Sequence, residues 1–258
     1  MKSVIVIPAR WGSTRFPGKP LYPLGGKPLL QHVWERCLQS TLAAEVIVAT
    51  DDMRIAEAAF DFGADVALTS ARHPTGTDRV AEVARKLRGV SVVVNVQGDE
   101  PLIEPEVIDQ LIESLAGDRR LAMSTAAAPL DRGDLDNPNV VKVVTDLGGR
   151  ALYFSRAGIP VDRDGDVGPA RWRHLGIYAY RRAFLLKFVQ WKPTPLERCE
   201  KLEQLRALEH GASIHVVTVR EAGPGIDTPA DAAAFERMFI RKTGRVRARA
   251  RTSASPGR

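Results

Sequence analysis

The sequence predicts an α/β domain in which a mixed, mainly parallel sheet is flanked by helices, with a β-rich excursion over about residues 121–180. Three observations carry that prediction. Up to residue 120, short β-branched runs alternate with stretches of helical periodicity, the pattern of strand–helix–strand units. After residue 120 the rhythm changes to consecutive strand-like runs separated by turns. The first strand also empties into a loop rich in glycine, proline and cations, where open α/β sheets gather ligands. The domain is expected to span residues 1–240, with a basic tail over 241–258.

Val4 to Ile7 is β-branched throughout and stops at Pro8, as suits a central strand covered on both faces. The loop after it carries Arg10, Arg15 and Lys19. Fully extended, Arg10 to Lys19 would span about 30 Å, so these cations share one ligand only if the loop doubles back. Gly12 and Gly18 permit the reversal, and Pro17 and Pro20 restrict its alternatives. A P-loop is excluded, because five residues separate the glycines and Lys19 precedes Pro20 rather than Ser or Thr. The loop reads as an anion site.

Gly25-Gly26-Lys27-Pro28 predicts a turn, with Pro28 opening a helix that carries Leu29, Leu30, Val33 and Cys37 on one face. Glu45–Thr50 is a second buried strand, and the Asp51-Asp52 pair is expected to cap the next helix. Asp65–Ser70 is a third strand. After His73-Pro-Thr-Gly-Thr-Asp-Arg79, a helix follows with Thr77 or Asp78 as its cap, and Gly76 allows close backbone approach to a flat ligand. Val90–Val96 is the most strand-like run and leads into Gln97-Gly-Asp-Glu-Pro101. Asp99, at the carboxyl end of that strand, suits a Mg²⁺ ion bridging to phosphate. Glu100 or a near neighbour is assigned to capping the helix of Val107, Leu111 and Ile112.

The excursion contains strand-like runs at Leu121–Thr125, Val140–Thr145, Ala151–Arg156 and His174–Tyr180, with a hairpin signal at Asp146-Leu-Gly-Gly149. It could lid the site or pair two subunits. Arg156 and His174 fall at strand ends, and Tyr178 shares a face with His174 at period two. Together they could hold an acidic sugar through its carboxylate and hydroxyls. Leu196–Arg206 reads as one helix with Leu202 and Leu205 inward and Glu197, Glu200 and Glu203 as a solvated stripe beside Gln204. Ser213–Val219 returns to the sheet and enters Gly223-Pro-Gly-Ile-Asp-Thr-Pro229. Thr228 caps the last helix there, which frees Asp227 to face Asp99 as a second metal ligand.

Composition narrows the function classes. No apolar run approaches the roughly 20 residues that cross a bilayer, and Met1-Lys2-Ser3 leads into a strand too short for a signal-peptide core. A cytoplasmic protein without membrane insertion is expected. Cys37 and Cys199 lie far apart in helical patterns and are expected as reduced, buried thiols. The net charge of +6 belongs to the tail: Arg241, Lys242, Arg245, Arg247, Arg249, Arg251 and Arg258 stand there without an acid, and removing those seven charges leaves −1. The tail is read as a disordered, unselective appendage, so no specific nucleic-acid partner is expected.

Six stretches, in order, resemble the 3-deoxy-manno-octulosonate (Kdo) cytidylyltransferases. They are Ile-Pro-Ala-Arg-Trp-Gly-Ser-Thr-Arg-Phe-Pro-Gly-Lys-Pro, Asn-Val-Gln-Gly-Asp-Glu-Pro, Tyr-Phe-Ser-Arg-Ala-Gly-Ile-Pro, Arg-His-Leu-Gly-Ile-Tyr, Leu-Glu-Gln-Leu-Arg and Gly-Ile-Asp-Thr-Pro. The resemblance runs from about Val4 to Ile240. It implies a nucleotide-diphospho-sugar transferase-like fold, CTP and Kdo as substrates, Mg²⁺ as cofactor and a homodimer. It further implies that Arg10, Arg15 and Lys19 bind the triphosphate, that Pro8, Ala9, Thr75, Gly76 and Arg79 surround the cytidine, and that Gln97 lies between nucleotide and sugar. Asp99 and Asp227 match the metal-binding aspartates, and Arg156, His174, Tyr178, Glu200, Glu203 and Gln204 fall in the regions that hold the sugar. Related acidic sugars, sialic acid or the 8-amino analogue of Kdo, would use the same kind of arginine contact.

Overall fold

The computed structural model describes residues 1–12, 16–165, 170–221, 223, 225–226 and 228–237. The chain opens with β1 (Ser3–Ala9), a small hairpin of β2 (Pro23–Leu24) and β3 (Lys27–Pro28), and α1 (Leu29–Cys37). It continues through β4 (Ala43–Thr50), α2 (Met53–Asp61), β5 (Asp65–Leu68), α3 (Gly76–Lys86), β6 (Val92–Asn95) and α4 (Pro105–Gly117). Next come β7 (Met123–Pro129), β8 (Lys142–Thr145), β9 (Ala151–Ser155), β10 (Trp172–Arg181), α5 (Arg182–Phe188), α6 (Pro195–Glu200), α7 (Gln204–Glu209) and β11 (Ile214–Thr218). A last helix covers 229–237.

One nine-stranded sheet runs in the order β11-β7-β10-β6-β1-β4-β5, with β8 and β9 branching from β10. β10 is antiparallel to both β6 and β7, while β1, β4, β5 and β6 pair in parallel and β11 is parallel to β7. The first strand shows why it is central. Ile5, Ile7 and Ala9 face one hydrophobic layer with α1, α2 and α4, and Val4 and Val6 face the other with α3, α5 and α7. That is a period-two strand buried on both faces. Burial of each such side chain stabilises the fold by about 1.5–3 kcal/mol.

The chain steps outward from β1 to β4 and β5, then returns through α3 to β6 on the other side of β1. This reversal opens a crevice beyond the carboxyl ends of β1 and β6, the place where such sheets bind ligands.

Several elements depart from the sequence expectation. Leu121–Thr125 and His174–Tyr180 were assigned to an excursion, yet β7 and β10 belong to the main sheet and only β8 and β9 branch from it. The expected helix over Leu196–Arg206 is two short helices, α6 and α7. Lys201 separates them in the left-handed region at φ 55°, which helical periodicity does not signal. Glu197 is buried and pairs with Arg206 at 2.5 Å, so the acidic stripe does not simply face solvent.

Pro28 is the residue before α1 rather than its first member, because Lys27 and Pro28 pair with β2. Asp52 caps α2, while Asp51 turns to Arg79 instead. Of Glu100 and its near neighbours, Glu104 occupies the cap position of α4, and its carboxylate pairs with Arg36 instead of capping the helix. Cys37 is buried as expected, but Cys199 is exposed. Among the described residues no helix is long and apolar enough to cross a membrane. Residues 241–258, expected as a basic tail, lie outside the described residues, so that reading has no structural counterpart here.

Candidate active site

Pro8, Ala9 and Arg10 at the end of β1, His73, Thr75, Gly76 and Arg79 at the start of α3, and Gln97 after β6 line a recess of about 120 Å³. Thr75, rather than Thr77 or Asp78, caps α3 by accepting from the Asp78 amide at 3.2 Å. A side chain at Gly76 would meet the Pro8 ring at 3.3 Å, so glycine lets the start of α3 lie against the end of β1. Arg79 is 4% exposed and already committed: it pairs with Asp51 at 2.8 Å and donates to the Thr69 hydroxyl. Its guanidinium is therefore a fixed wall of the recess.

His73 had no separate assignment in the sequence, although it heads the His-Pro-Thr-Gly-Thr run. Its Nε2 lies 2.6 Å from Glu82, which also accepts from the Ser70 amide and from Lys86. The Ser70 amide bond, then those from His73 and Lys86, hold the Glu82 carboxyl down to about 2. Nε2 therefore donates to an ionised carboxylate, which fixes the orientation of the ring.

The cationic loop doubles back as its span requires. The Gly18 amide donates to the Trp11 carbonyl at 3.2 Å, and Gly18 takes φ +71° under the Trp11 ring. The Arg54 guanidinium stacks on that indole, 3.5 Å from its centroid. Lys19 opens a three-residue 3-10 turn rather than an α-helix, in keeping with the proline after it. Its ammonium donates to Asp99 Oδ2 at 2.6 Å and to the Ile226 carbonyl at 3.0 Å, and the Ile226 amide donates to the Asp99 carbonyl at 2.9 Å. Phe16, Leu24 and Leu29 pack with Ile226, Ala232 and Phe235 into a separate apolar cluster. The first loop is thus docked on the segment around Asp227, although Arg15 and Asp227 themselves lie outside the described residues. Thr228 caps the last helix as expected, receiving the Asp231 amide at 3.2 Å.

A second cavity, of about 560 Å³, adjoins the first through Gln97. Arg156, His174, Tyr178 and Gln204 line it as the sequence proposed, together with Arg173, Lys201 and Asn139, which sequence reasoning did not select. Burial pushes the His174 imidazole down to about 3, so the ring is neutral. Its Nε2 lies 2.9 Å from the Thr125 hydroxyl, which also reaches the carbonyls of Leu175 and Ile177. A hydroxyl has one proton to give. Given to a carbonyl, it leaves the Thr125 oxygen to accept from Nε2–H, so Nδ1 is the acceptor nitrogen. Burial, then the charges of Glu203 and Glu100, raises Tyr178 well above its ordinary value and keeps the phenol as a donor. Gln204 is 4% exposed, and among the described residues its Nε2 has no hydrogen-bond partner. Leaving such a donor buried and unmade costs about 1–3 kcal/mol, a cost that a ligand acceptor would offset.

Glu200 and Glu203 do not line this cavity. Glu200 accepts from the Ser155 hydroxyl and the Arg156 amide, so it fixes the end of β9. Glu203 accepts from Thr75 and Thr77 of α3, and burial raises its carboxyl above the ordinary value despite those bonds. Both read more directly as supports than as ligand contacts.

An open α/β sheet with a recess at its switch point, joined to a larger cavity lined by Arg156, Arg173, Lys201 and Glu100, is the layout of a class of enzyme that brings two substrates together. Comparison with known proteins narrows the class. A family model described as "Cytidylyltransferase" matches residues 4–214, and the chain belongs to that family. It is 51% identical over 243 residues to the 3-deoxy-manno-octulosonate cytidylyltransferase of Idiomarina loihiensis, covering 90% of this chain and 96% of the relative. It is 53% identical over 247 residues to the enzyme of the same name from Halorhodospira halophila, covering 91% and 96%. A solved structure of CMP:2-keto-3-deoxy-manno-octonic acid synthetase complexed with CTP superposes with a TM-score of 0.90 at 41% identity, covering 94% of this chain and all of that one.

Proposed function

We propose that the chain transfers CMP from CTP to the anomeric hydroxyl of Kdo, releasing pyrophosphate and giving the activated sugar used to build lipopolysaccharide. The observation that carries the reading is the pair of cavities sharing Gln97, one at the sheet's switch point and the other lined by Arg156, Arg173 and Lys201. The family match and the CTP complex of a 41% identical relative support the donor. The names of the relatives support the acceptor.

In this reading the recess takes the cytidine, held by Pro8, Ala9, Thr75, Gly76 and the fixed Arg79. Arg10, Arg15 and Lys19 meet the triphosphate, and Gln97 contacts both substrates. Arg156 and Gln204 receive the sugar's carboxylate and hydroxyls, with Tyr178 as donor and His174 Nδ1 as acceptor. The C2 hydroxyl attacks the α-phosphate, giving up its proton to solvent, the bond from the α-phosphorus to the β-phosphate oxygen breaks, and pyrophosphate leaves toward Arg15 and Lys19. No protein nucleophile is required: positioning and fixed charge carry the rate.

The chemistry of Asp99 suits a Mg²⁺ ion. Asp99 is 30% exposed and already holds a cation, the Lys19 ammonium. Mg²⁺ commonly takes only one or two carboxylates and fills its remaining positions with water and phosphate. Asp99 and Asp227 would hold the ion, which supplies charge neutralisation at the phosphate. The family resemblance supports a homodimer. We place the reaction in the cytoplasm.

The test is pyrophosphate release by the purified protein with Mg²⁺, CTP and Kdo, with each substrate omitted in turn and ATP, GTP and UTP as controls. Release that needs both CTP and Kdo is expected. Release with CTP and another acidic sugar but not Kdo would overturn the acceptor, and indifference to the base would overturn the donor.

A further inference from the structure

Lys142 is the first residue of β8 and is 0% exposed. Its ammonium donates to three backbone carbonyls, those of Asn137 at 2.8 Å, Val140 at 2.8 Å and Arg156 at 2.7 Å. An ammonium has three protons. All three are used, and none goes to a carboxylate.

A methionine or leucine would fill this space without the desolvation cost of a buried charge, which reaches several kcal/mol. The ammonium does what those residues could not. It ties the 137–140 turn to the end of β9, two backbone segments that the sheet does not pair with each other. Asn139, Val140, Val141 and Arg156 all line the 560 Å³ cavity. The arginine reinforces the same tie: its Nη1 donates to the Pro138 carbonyl and its Nε to the Glu200 carbonyl. One wall of the cavity is therefore cross-linked from behind by a charge that has no hydrogen-bonded counter-ion.

We propose that Lys142 is a positioning residue for the acceptor: it fixes the Asn139–Val141 and Arg156 wall. The proposal rests on the acceptor reading given above. It assigns no contact between Lys142 and substrate. Because the nucleotide recess shares none of the three carbonyl residues, the effect of Lys142 is confined to the acceptor.

The experiment compares wild type, Lys142→Met and Lys142→Arg by steady-state pyrophosphate release and by calorimetric titration with CTP alone. In Lys142→Met the KM for Kdo is expected to rise at least tenfold, while the KM and the calorimetric affinity for CTP stay within about twofold. Lys142→Arg, which keeps the charge in a larger head group, is expected to fall between wild type and Lys142→Met. If Lys142→Met does not fold, Lys142→Arg alone decides: a rise confined to the Kdo KM supports the assignment. In either variant, equal losses toward CTP and Kdo, or an unchanged Kdo KM, would overturn it. Wild type that does not respond to Kdo would instead overturn the acceptor reading, so the two failures are distinguishable.

Discussion

At the nucleotide end of the crevice, Pro8, Ala9 and Gln97 stand at the carboxyl ends of neighbouring parallel strands, and the remaining wall is the first turn of one helix. At the acceptor end the wall is assembled from an antiparallel strand, a branching hairpin and the break between two short helices. The first is a consequence of topology, since any chain with this strand order has a crevice there. The second depends on side chains that bond to distant backbone: Arg156 to Pro138, Glu200 to Arg156, Lys142 to Arg156. Damage at the nucleotide end should therefore be local and chemical, and damage at the acceptor end should spread through the wall.

The largest effect is expected where the two ends meet. Asp99→Ala should reduce turnover by about a thousandfold or more, as loss of charge stabilisation at a transferred phosphate does. The fold should persist, because Asp99 is partly exposed and its backbone bond with Ile226 survives the substitution. Circular dichroism and pyrophosphate release together check this, and near-normal turnover with Mg²⁺ would remove Asp99 from the site.

Next in size is Gln204→Leu, which separates binding from stability at the acceptor end. The KM for Kdo should rise by about tenfold to a hundredfold, the value of one or two hydrogen bonds to a charged ligand. The free protein should be as stable as wild type or more so, since a buried donor without a partner is removed. Lower thermal stability with an unchanged KM would show that Gln204 is a packing residue only. Asp51→Asn is the matching probe at the nucleotide end. Neutralising the partner of Arg79 should raise the KM for CTP by about tenfold and leave that for Kdo unchanged, because the buried guanidinium loses its ion-pair partner and the wall of the recess is no longer held. An effect on both substrates would blur the distinction between the two ends.

The same contrast explains what was legible in the sequence. The buried strands could be read because period-two burial marks them, and the positions of Pro8, Ala9, Gln97 and Asp99 because each lies within a few residues of a strand end; Thr75, Gly76 and Arg79 lie seven or more residues beyond β5 and were assigned to the nucleotide only through the family resemblance. Asp51 could not be assigned correctly, because capping and pairing with Arg79, 28 positions on, look alike in a linear chain. The acceptor end was legible as a set of residue types but not as a structure. His174 and Tyr178 were placed on one face by alternation, and their rings do lie 5.4 Å apart, yet a register shift between Leu175 and Tyr178 intervenes. Lys201 gave no warning of its left-handed backbone, and the carboxylates on either side of it bond to β9 and to the start of α3 rather than lining the cavity. Lys142 was visible only as one charge inside the apolar run Val140–Val144.

The smallest effect is read in stability and concerns His174. In the unfolded chain this imidazole takes up a proton near pH 6.5, whereas in the fold burial keeps it neutral down to about 3. As pH falls between those values the unfolded state binds a proton that the folded state does not, so stability declines, by at most about 1.4 kcal/mol per pH unit. The contribution is complete above about pH 7. Between pH 7 and pH 5 the loss from this group should be on the order of 2 kcal/mol. His174→Gln should lack that part of the decline, and urea unfolding of both proteins at the two pH values measures the difference. His215 is also pushed down by burial, so wild type and variant share its slope and the difference isolates His174. Equal slopes in the two proteins would mean that the ring takes up its proton in the fold, which would make it a cation facing the acceptor rather than the acceptor nitrogen assigned here.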